Sequence, residues 1–352
     1  MRGYVPGRPI DEVAQDLGLT ESEIVKLASN ESPDGPFPGV VDAAISALGS
    51  SNRYPDTDTT ALSRAMSRWL EVPEDQLWVG AGSVALLGHI GLAVGGPGTS
   101  AVFGWPSFIM YRTVSAWAMT TSVEVRLTDR HVHDMAAMAA AIRDDTTVVY
   151  LCNPNNPTGT IVSGDEVEAF AATLPERVLL VVDEAYHDFV TDPGYRSAFG
   201  IATSRRNVVV LRTFSKVYGL ASHRVGYAVG HPETLGELRK TQPPFTIGQV
   251  SQAAATASLE NRAELERRVV ANAAGREHLL GALDERRLEH SDSQANFVYF
   301  RHGDDSNTVA DSILEQGVII RPMSGGWLRV TVGTEAENRR FVEALDAVLP
   351  HS

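Results

Sequence analysis

The chain holds only three lysines against 27 arginines, and one of them is Lys216, in the segment Arg212-Thr213-Phe214-Ser215-Lys216. Arginine replaces lysine as a positive charge but not as an amine nucleophile, because a guanidinium group does not lose its proton in proteins. The other two lysines are Lys26 and Lys240. Taken alone, a low number of lysines indicates only a bias in amino-acid composition. The residues that accompany Lys216 indicate instead that it is kept for its amine.

An acidic residue follows a predicted buried strand. The apolar run 178–182 leads into Asp183-Glu184-Ala185-Tyr186. A carboxylate at the end of such a strand costs free energy unless it meets a positive partner. Asp183 is therefore a candidate partner for a cation, although aspartate is also a good N-cap of a helix.

An asparagine- and proline-rich segment follows the next predicted strand. Cys152-Asn153-Pro154-Asn155-Asn156-Pro157-Thr158-Gly159 comes directly after the apolar run 147–151. These residue types are typical of a rigid turn. Two prolines around paired asparagines are more than a turn requires, so the segment is also a candidate for binding.

Hydroxyl groups and an arginine surround Lys216 in the sequence. Thr213 and Ser215 flank it, and Arg224 follows; such groups suit a phosphate. Gly82-Ser83 could add backbone N–H groups at a helix start, where an anion is stabilised, although small residues often open helices for other reasons. An amine, a buried acid, a phosphate cradle and a Tyr/Asn pair together meet the needs of pyridoxal 5′-phosphate, which forms a Schiff base with lysine and pairs its pyridinium nitrogen with an acid.

These groups need a scaffold that brings strand ends together. Residues 77–230 alternate helix-like stretches with strand candidates at 77–80, 100–103, 122–127, 147–151, 178–182 and 207–211. Continuous apolar runs separated by helices predict a mostly parallel sheet covered on both faces. Ligands of such sheets bind at the carboxyl ends of the strands, where most of the groups above lie.

The pattern changes after Pro243-Pro244. A long helix is predicted over about 248–286, followed by strands at 296–300, 318–320 and 328–332 with a helix near 309–316. The sequence therefore predicts a second, smaller α+β domain.

The chain resembles the fold-type I pyridoxal-phosphate aminotransferases, in the group that is similar to histidinol-phosphate aminotransferases. The resemblance covers nearly the whole chain and is carried by short motifs in a specific order: Tyr4-Val5-Pro6-Gly7, Lys26-Leu27-Ala28-Ser29-Asn30-Glu31, Arg53-Tyr54-Pro55-Asp56, the segments 153–159, 183–186 and 212–221, and Leu328-Arg329-Val330-Thr331-Val332-Gly333. Residues 80–84, 103–105, 244–246 and 293–298 are more similar to the actinobacterial aromatic-amino-acid aminotransferase branch.

The resemblance implies an α/β fold with a large mostly parallel-sheet α/β/α domain over residues 31–242 and a smaller α+β domain over 243–352. An N-terminal arm, residues 1–30, is expected to pack with the small domain. The resemblance also implies a homodimer in which Tyr54 reaches the cofactor phosphate of the neighbouring subunit.

The resemblance further implies a role for each matching residue. Lys216 forms the Schiff base and moves the proton between the substrate Cα and the cofactor C4′. Asp183 holds the pyridinium proton, with its pKa lowered by that cation. Phe108 stacks on the ring, unless it is an ordinary core phenylalanine. Tyr186 and Asn156 are implied to contact the phenolic oxygen of the cofactor. The implied phosphate contacts are Gly82, Ser83, Val84, Thr213, Ser215 and Arg224. Arg329 is implied to clamp the substrate carboxylate through two hydrogen bonds, and the other implied substrate contacts are Arg321, Asn30 and Tyr4.

Three positions bear on the substrate. Ser222-His223 stands where relatives usually have Gly-Leu; the serine adds bulk beside the phosphate, and the histidine lies on the surface or touches substrate. Val84 replaces the acidic or amide residue typical of histidinol-phosphate enzymes. Arg321 matches an arginine that those enzymes use near the substrate phosphate, although related aromatic enzymes can carry it too. The two substrate classes therefore both remain open.

Composition excludes other classes of function. The net charge of −14 disfavours a nucleic-acid partner, and no apolar run predicts a membrane span or signal peptide. The single cysteine, Cys152, is expected to be a small buried filler in a cytoplasmic protein. His131 and His133 have the spacing of a metal pair, but no further ligand motif completes a site, so we expect no metal and a solvated loop there.

The sequence thus predicts a pyridoxal-phosphate-dependent transaminase that moves an amino group between an aromatic or imidazole-type amino acid or amine and 2-oxoglutarate. The same site could instead serve a decarboxylase or a carbon–sulfur β-lyase acting on a biosynthetic intermediate, because the cofactor does not itself decide which Cα bond breaks. A non-catalytic binding protein on this fold is a third hypothesis.

Overall fold

A computed structural model describes residues 8–349. Its strands are β1 (Val25–Lys26), β2 (Leu77–Gly80), β3 (Ser100–Trp105), β4 (Thr121–Arg126), β5 (Thr146–Cys152), β6 (Leu179–Asp183), β7 (Val208–Thr213), β8 (Gly226–Gly230), β9 (Phe297–Arg301), β10 (Val318–Ile319), β11 (Arg321–Pro322) and β12 (Trp327–Thr331). Its α-helices are α1 (Ile10–Leu17), α2 (Val40–Leu48), α3 (Thr60–Leu70), α4 (Ser83–Val94), α5 (Met110–Trp117), α6 (Met135–Ala140), α7 (Gly164–Thr173), α8 (Phe199–Ser204), α9 (Pro232–Leu238), α10 (Gln249–Ser258), α11 (Arg262–Glu285), α12 (Ser306–Glu315) and α13 (Glu335–Val348).

The central sheet has seven strands in the order β2-β8-β7-β6-β5-β3-β4. Strands β4, β3, β5, β6 and β7 are parallel to one another, and β8 runs antiparallel to both β7 and β2. Helices α4 and α5 share a core with one face of the sheet, and α6 and α7 share a core with the other. The prediction of a mostly parallel, doubly covered α/β sheet is therefore confirmed.

The strand register places the predicted functional residues at one edge of this sheet. Cys152 at the end of β5 is the partner of Asp183 at the end of β6, and Asp183 is the partner of Leu211 in β7. The asparagine-rich segment, Asp183 and the segment that leads to Lys216 consequently leave the sheet side by side. This edge is the carboxyl end of the parallel strands, as the sequence predicts.

A smaller sheet lies in the C-terminal part of the chain. Its order is β11-β12-β9, all antiparallel, and it packs with α11, α12 and α13 around one core. Within it, Arg329 is opposite Tyr299 on one side and Arg321 on the other. Side chains at directly paired positions share a face, so both predicted substrate-binding arginines lie on the same face of this sheet.

Two predicted elements differ from the structure. The long helix over 248–286 is broken into α10 and α11: Leu259 turns into the core, and Asn261 precedes α11 with its side-chain amide donating to the carbonyl of Pro38 at 3.0 Å. The strand predicted over 318–320 ends at Ile319, as β10, and a separate strand, β11, begins at Arg321. Strand β10 pairs with β1, whereas β11 pairs with β12, because the chain passes from one sheet to the other between Ile319 and Arg321.

The packing bears on the predicted domain bounds. Strand β1 of the N-terminal arm pairs in parallel with β10, and Val13 shares a small core with Ile319. Helix α10, however, packs against α2 and α3, and its Ala254 shares a core with Leu62. We therefore propose that the arm belongs with the small domain and that the large domain extends from residue 31 past residue 242, through α10.

Candidate active site

Lys216 lies three residues beyond β7, next to the N-terminal arm. Its Nζ amine donates to the backbone carbonyls of Asn30 (3.0 Å) and Ser29 (3.4 Å). Burial lowers the pKa of Lys216 to about 7, and the charge of Arg329 adds to this lowering. A lysine with this pKa is partly neutral at neutral pH, and only the neutral amine can act as a nucleophile or base.

Asp183 ends β6 and is 1% exposed. Its Oδ1 accepts from the backbone N–H of Ala185 (3.2 Å) and its Oδ2 from the hydroxyl of Tyr111 (3.1 Å). Burial raises the pKa of Asp183 to about 6, so the lowered pKa that the resemblance implies would have to come from the pyridinium cation. The alternative N-cap role is not found, because the next helical turn begins only at His187 and has no side-chain cap.

A chain of hydrogen bonds joins the aromatic and amide residues of the site. The Tyr186 hydroxyl accepts from the amide groups of Asn30 (3.0 Å) and Asn156 (3.3 Å). The Asn156 Oδ1 accepts from Arg329 (2.6 Å), which also donates to the carbonyl of Ala28 (2.7 Å). The large sheet, the small sheet and the N-terminal arm therefore each contribute to one buried polar cluster.

The predicted phosphate-binding residues also lie together. A Cβ atom at Gly82, which has φ of +86°, would stand 2.4 Å from Nη2 of Arg224, so any side chain at this position would displace the guanidinium. Arg224 donates to Ser215 Oγ (3.2 Å), and Thr213 donates to the same oxygen (2.9 Å). A glycine cradle at the start of α4, with a guanidinium and two hydroxyls, fits a phosphate group.

Phe108 lies in the segment between β3 and α5. Its ring meets that of Tyr111 edge to face, with centroids 5.8 Å apart. The preceding Ser107 donates to Asn155 Oδ1 at 2.6 Å, which ties this segment to the asparagine-rich turn. Phe108 is only partly buried, so part of its surface is available to contact a cofactor ring. A phenylalanine that served only the core would not need this exposed surface.

Comparison with known proteins identifies the family. The model of the family described as aminotransferase class I and II matches residues 22–345. The chain belongs to this family. It is 40% identical over 346 residues to an aromatic amino acid aminotransferase of Streptomyces avermitilis, covering 98% of this chain and 96% of that protein. It is 41% identical over 353 residues to histidinol-phosphate aminotransferase 1 of Cupriavidus pinatubonensis, covering 98% and 94%.

A solved structure agrees with this assignment. The histidinol-phosphate aminotransferase of Sinorhizobium meliloti in complex with pyridoxal-5′-phosphate superposes with a TM-score of 0.89 at 29% identity, covering 98% of this chain and 95% of that chain. The aminotransferase described here has the fold-type I architecture and depends on pyridoxal 5′-phosphate. The predictions of fold, cofactor and enzyme class are therefore confirmed.

Several predicted site residues lie outside the buried cluster of this aminotransferase. Tyr54 is 82% exposed and stacks on Phe245, with centroids 4.6 Å apart. Val84 is in the first turn of α4, beside the glycine cradle, and Arg321 is partly buried in β11. Tyr4 lies outside the described residues.

The departures from the family pattern lie in one helical turn. Ser222 is exposed, and His223 is partly buried, which lowers its pKa. Both precede Arg224, whose backbone is left-handed with φ of 52°. They therefore stand directly before the arginine that is predicted to bind the phosphate.

The prediction of a solvated loop at the two histidines is wrong. His133 is 4% exposed, its Nε2 lies 3.0 Å from the carbonyl oxygen of Cys152, and burial lowers its pKa to about 4. His131 packs edge-on against Trp327, with centroids 4.4 Å apart. Within residues 8–349, no group of three or more His, Cys, Asp or Glu side chains is placed to hold a metal ion. Cys152 is a free, buried cysteine, as predicted.

Other polar residues of the site were not found from the sequence. Asn296 donates to the carbonyl of Asn30 (3.2 Å), the same carbonyl that Lys216 contacts. Glu184, the residue after Asp183, forms a buried ion pair with Arg212 at 2.8 Å. Both belong to quoted motifs, but only the fold shows which buried polar side chains face one another.

Proposed function

We propose that this aminotransferase moves an amino group between an aromatic or imidazole-type amino acid or amine and 2-oxoglutarate. The observation that carries the proposal is the connection between Lys216 and Arg329 through Asn30, Tyr186 and Asn156. An α-amino acid held by its carboxylate at the Arg329 guanidinium would present its Cα and amino group toward the amine of Lys216. The names of the relatives support the two substrate classes.

Each residue has a distinct task in this scheme. When bound, pyridoxal 5′-phosphate supplies an electron-withdrawing ring that stabilises negative charge at the substrate Cα. Lys216, as a neutral amine, takes the proton from the substrate Cα onto its Nζ. It then returns that proton to the carbon atom bonded to the other side of the transferred nitrogen. Asp183 would hold a proton at the ring nitrogen of the bound cofactor, and Tyr186 and Asn156 would bind its phenolic oxygen. Arg329 keeps the substrate Cα oriented during both half-reactions.

We also propose that the enzyme acts as a homodimer. Val41, Ile45 and Leu48, spaced by four and three residues along α2, are 54%, 60% and 56% exposed. Together with exposed Tyr54 and Phe245 they supply apolar surface of the kind that subunit interfaces cover. In the proposed dimer, Tyr54 reaches the phosphate site of the partner subunit, which makes the interface part of the active site.

A cytoplasmic location is proposed from the single, free cysteine, Cys152. Among the described residues, no helix has the length and apolar character to cross a membrane. Small-molecule amino donors and oxo acids are the partners that the family membership supports.

A single-turnover experiment tests the proposed reaction. The holoenzyme would be mixed separately with phenylalanine, tyrosine, tryptophan, histidinol phosphate and an S-substituted cysteine, with products identified by mass spectrometry. Transamination predicts pyridoxamine phosphate and one equivalent of the oxo product. Release of CO2, or of pyruvate with a thiol, would contradict it and favour the decarboxylase or β-lyase alternative. Lys216→Arg, which keeps the charge but not the nucleophile, is the matched inactive control.

A further inference from the structure

Tyr111 contacts both residues that we assign to the cofactor ring. It lies in α5 with 0% exposure, its hydroxyl donates to Asp183 Oδ2 (3.1 Å), and its ring meets Phe108 edge to face at 5.8 Å. We infer that Tyr111 is a positioning residue that fixes Asp183 and Phe108 relative to each other and so determines how strongly the protein binds the ring nitrogen of the cofactor. This inference rests on the proposed role of Asp183.

The Tyr111 ring is held in place by its neighbours. It stacks face to face on Tyr150, with centroids 5.0 Å apart and planes at 2°, and lies tilted against Phe103 at 5.7 Å. A ring packed on several sides has one position available to its hydroxyl. That hydroxyl is buried and needs a hydrogen-bond partner, which the Asp183 carboxylate supplies.

The hydrogen bond acts on the charge state of Asp183. Burial raises the pKa of Asp183, and the Tyr111 hydroxyl is the side chain that opposes this most. The backbone N–H of Ala185 and the charge of Lys216 also lower the pKa, whereas Glu184 raises it. A carboxylate that stays charged forms a strong, charge-assisted hydrogen bond with a protonated ring nitrogen. Tyr111 therefore favours the form of Asp183 that the cofactor requires.

Tyr150 provides a matched control. It is as deeply buried as Tyr111 and is its stacking partner. Its hydroxyl, however, lies near Gly91 of α4, where a Cβ atom would stand 3.6 Å away. Tyr150→Phe and Tyr111→Phe remove the same atom from two adjacent rings, but only the second removes a hydrogen bond to Asp183.

The test compares two ligands that differ at the ring nitrogen. The affinities of the apoprotein for pyridoxal 5′-phosphate and for its 1-deaza analogue, which has CH in place of the nitrogen, would be measured by absorbance titration. We expect Tyr111→Phe to weaken binding of the natural cofactor by roughly 10- to 100-fold, the range for a lost hydrogen bond to a charged group. Binding of the deaza analogue is expected to be unchanged, and Tyr150→Phe is expected to match the wild type with both ligands.

The outcomes separate this inference from the assignment of Asp183. If Tyr111→Phe lowers the affinity for both ligands equally, Tyr111 acts only through packing and the inference is overturned. The inference is also overturned if the Tyr111→Phe variant prefers the natural cofactor over the deaza analogue as strongly as the wild type does. A wild-type protein that does not distinguish the two ligands would overturn the role of Asp183 itself, and a wild type that binds neither would overturn the cofactor site.

Discussion

Gly82 is the position where a single added carbon should disturb the phosphate site most. In Gly82→Ala, the new Cβ would stand 2.4 Å from Nη2 of Arg224, and the usual contact is about 3.5 Å, so the guanidinium must retreat by about 1 Å. The φ of +86° adds backbone strain of about 1–3 kcal/mol for any residue with a side chain. A displaced arginine loses a charge-assisted contact of about 1.5–3 kcal/mol, or roughly a 10- to 100-fold weaker affinity for the cofactor.

Equilibrium titration of the apoprotein with pyridoxal 5′-phosphate measures the Gly82→Ala effect, and urea denaturation measures the strain. Gly236→Ala in α9 is the control, because a Cβ there meets nothing within 4 Å and its backbone is helical. The control should bind cofactor as the wild type does and be slightly more stable. Wild-type cofactor affinity in Gly82→Ala would refute the assignment of this turn to the phosphate.

Three further predictions concern other parts of the site. The rate of cofactor capture by the apoprotein should rise with pH around the Lys216 pKa of about 7 and then level off, because the neutral amine is the reactive form; a rate still rising near pH 10 by stopped-flow absorbance would contradict this. Arg329→Lys should raise KM for a carboxylate-bearing donor by roughly 10- to 100-fold in steady-state kinetics, since one ammonium cannot replace a bidentate guanidinium, and an unchanged KM would argue against the clamp. Glu184→Gln should lower the free energy of unfolding by about 3–5 kcal/mol by removing the ion-pair partner of the buried Arg212, whereas Asp346→Asn, in a half-exposed ion pair, should cost less than about 1 kcal/mol; equal effects in urea denaturation would refute the difference.

Much of the large domain could be predicted because its strands are buried on both faces. The apolar runs at 147–151, 178–182 and 207–211 correspond to β5, β6 and β7, with ends shifted by one or two residues. Such runs are apolar throughout, so their pattern differs from that of a surface helix, which has one polar face. Their carboxyl ends carry the asparagine-rich turn, Asp183 and the approach to Lys216, so the site follows from the sheet.

Features that depend on tertiary contacts could not be predicted from local pattern. Strand β8 is not among the predicted strands, and its antiparallel direction is set only by pairing with β7 and β2. The break between α10 and α11 comes from Leu259 entering the core, in a stretch whose residues otherwise favour helix. In the sequence, His133 stands beside charged residues, which is typical of a surface position. In the structure, its ring is buried against β3 and β5, where it contacts Gly104 and the Cys152 carbonyl.

The Tyr111 contact shows the same limit at the level of the site. In the sequence, Tyr111 stands in an ordinary amphipathic helix, 72 residues from Asp183. Its periodicity predicts burial and nothing more. That its hydroxyl meets a carboxylate follows from the packing of its ring against Phe103 of β3 and Tyr150 of β5, which no short motif records.

The most direct test of the account is to find which lysine holds the cofactor. Borohydride reduction of the holoenzyme fixes the cofactor to the amine it is bonded to, and peptide mass mapping must then choose among only three lysines. The account predicts the added mass on the peptide that contains Lys216, at one equivalent per chain, and no label in Lys216→Arg. Label on Lys26 or Lys240, or a Lys216→Arg protein that is still labelled, would contradict it.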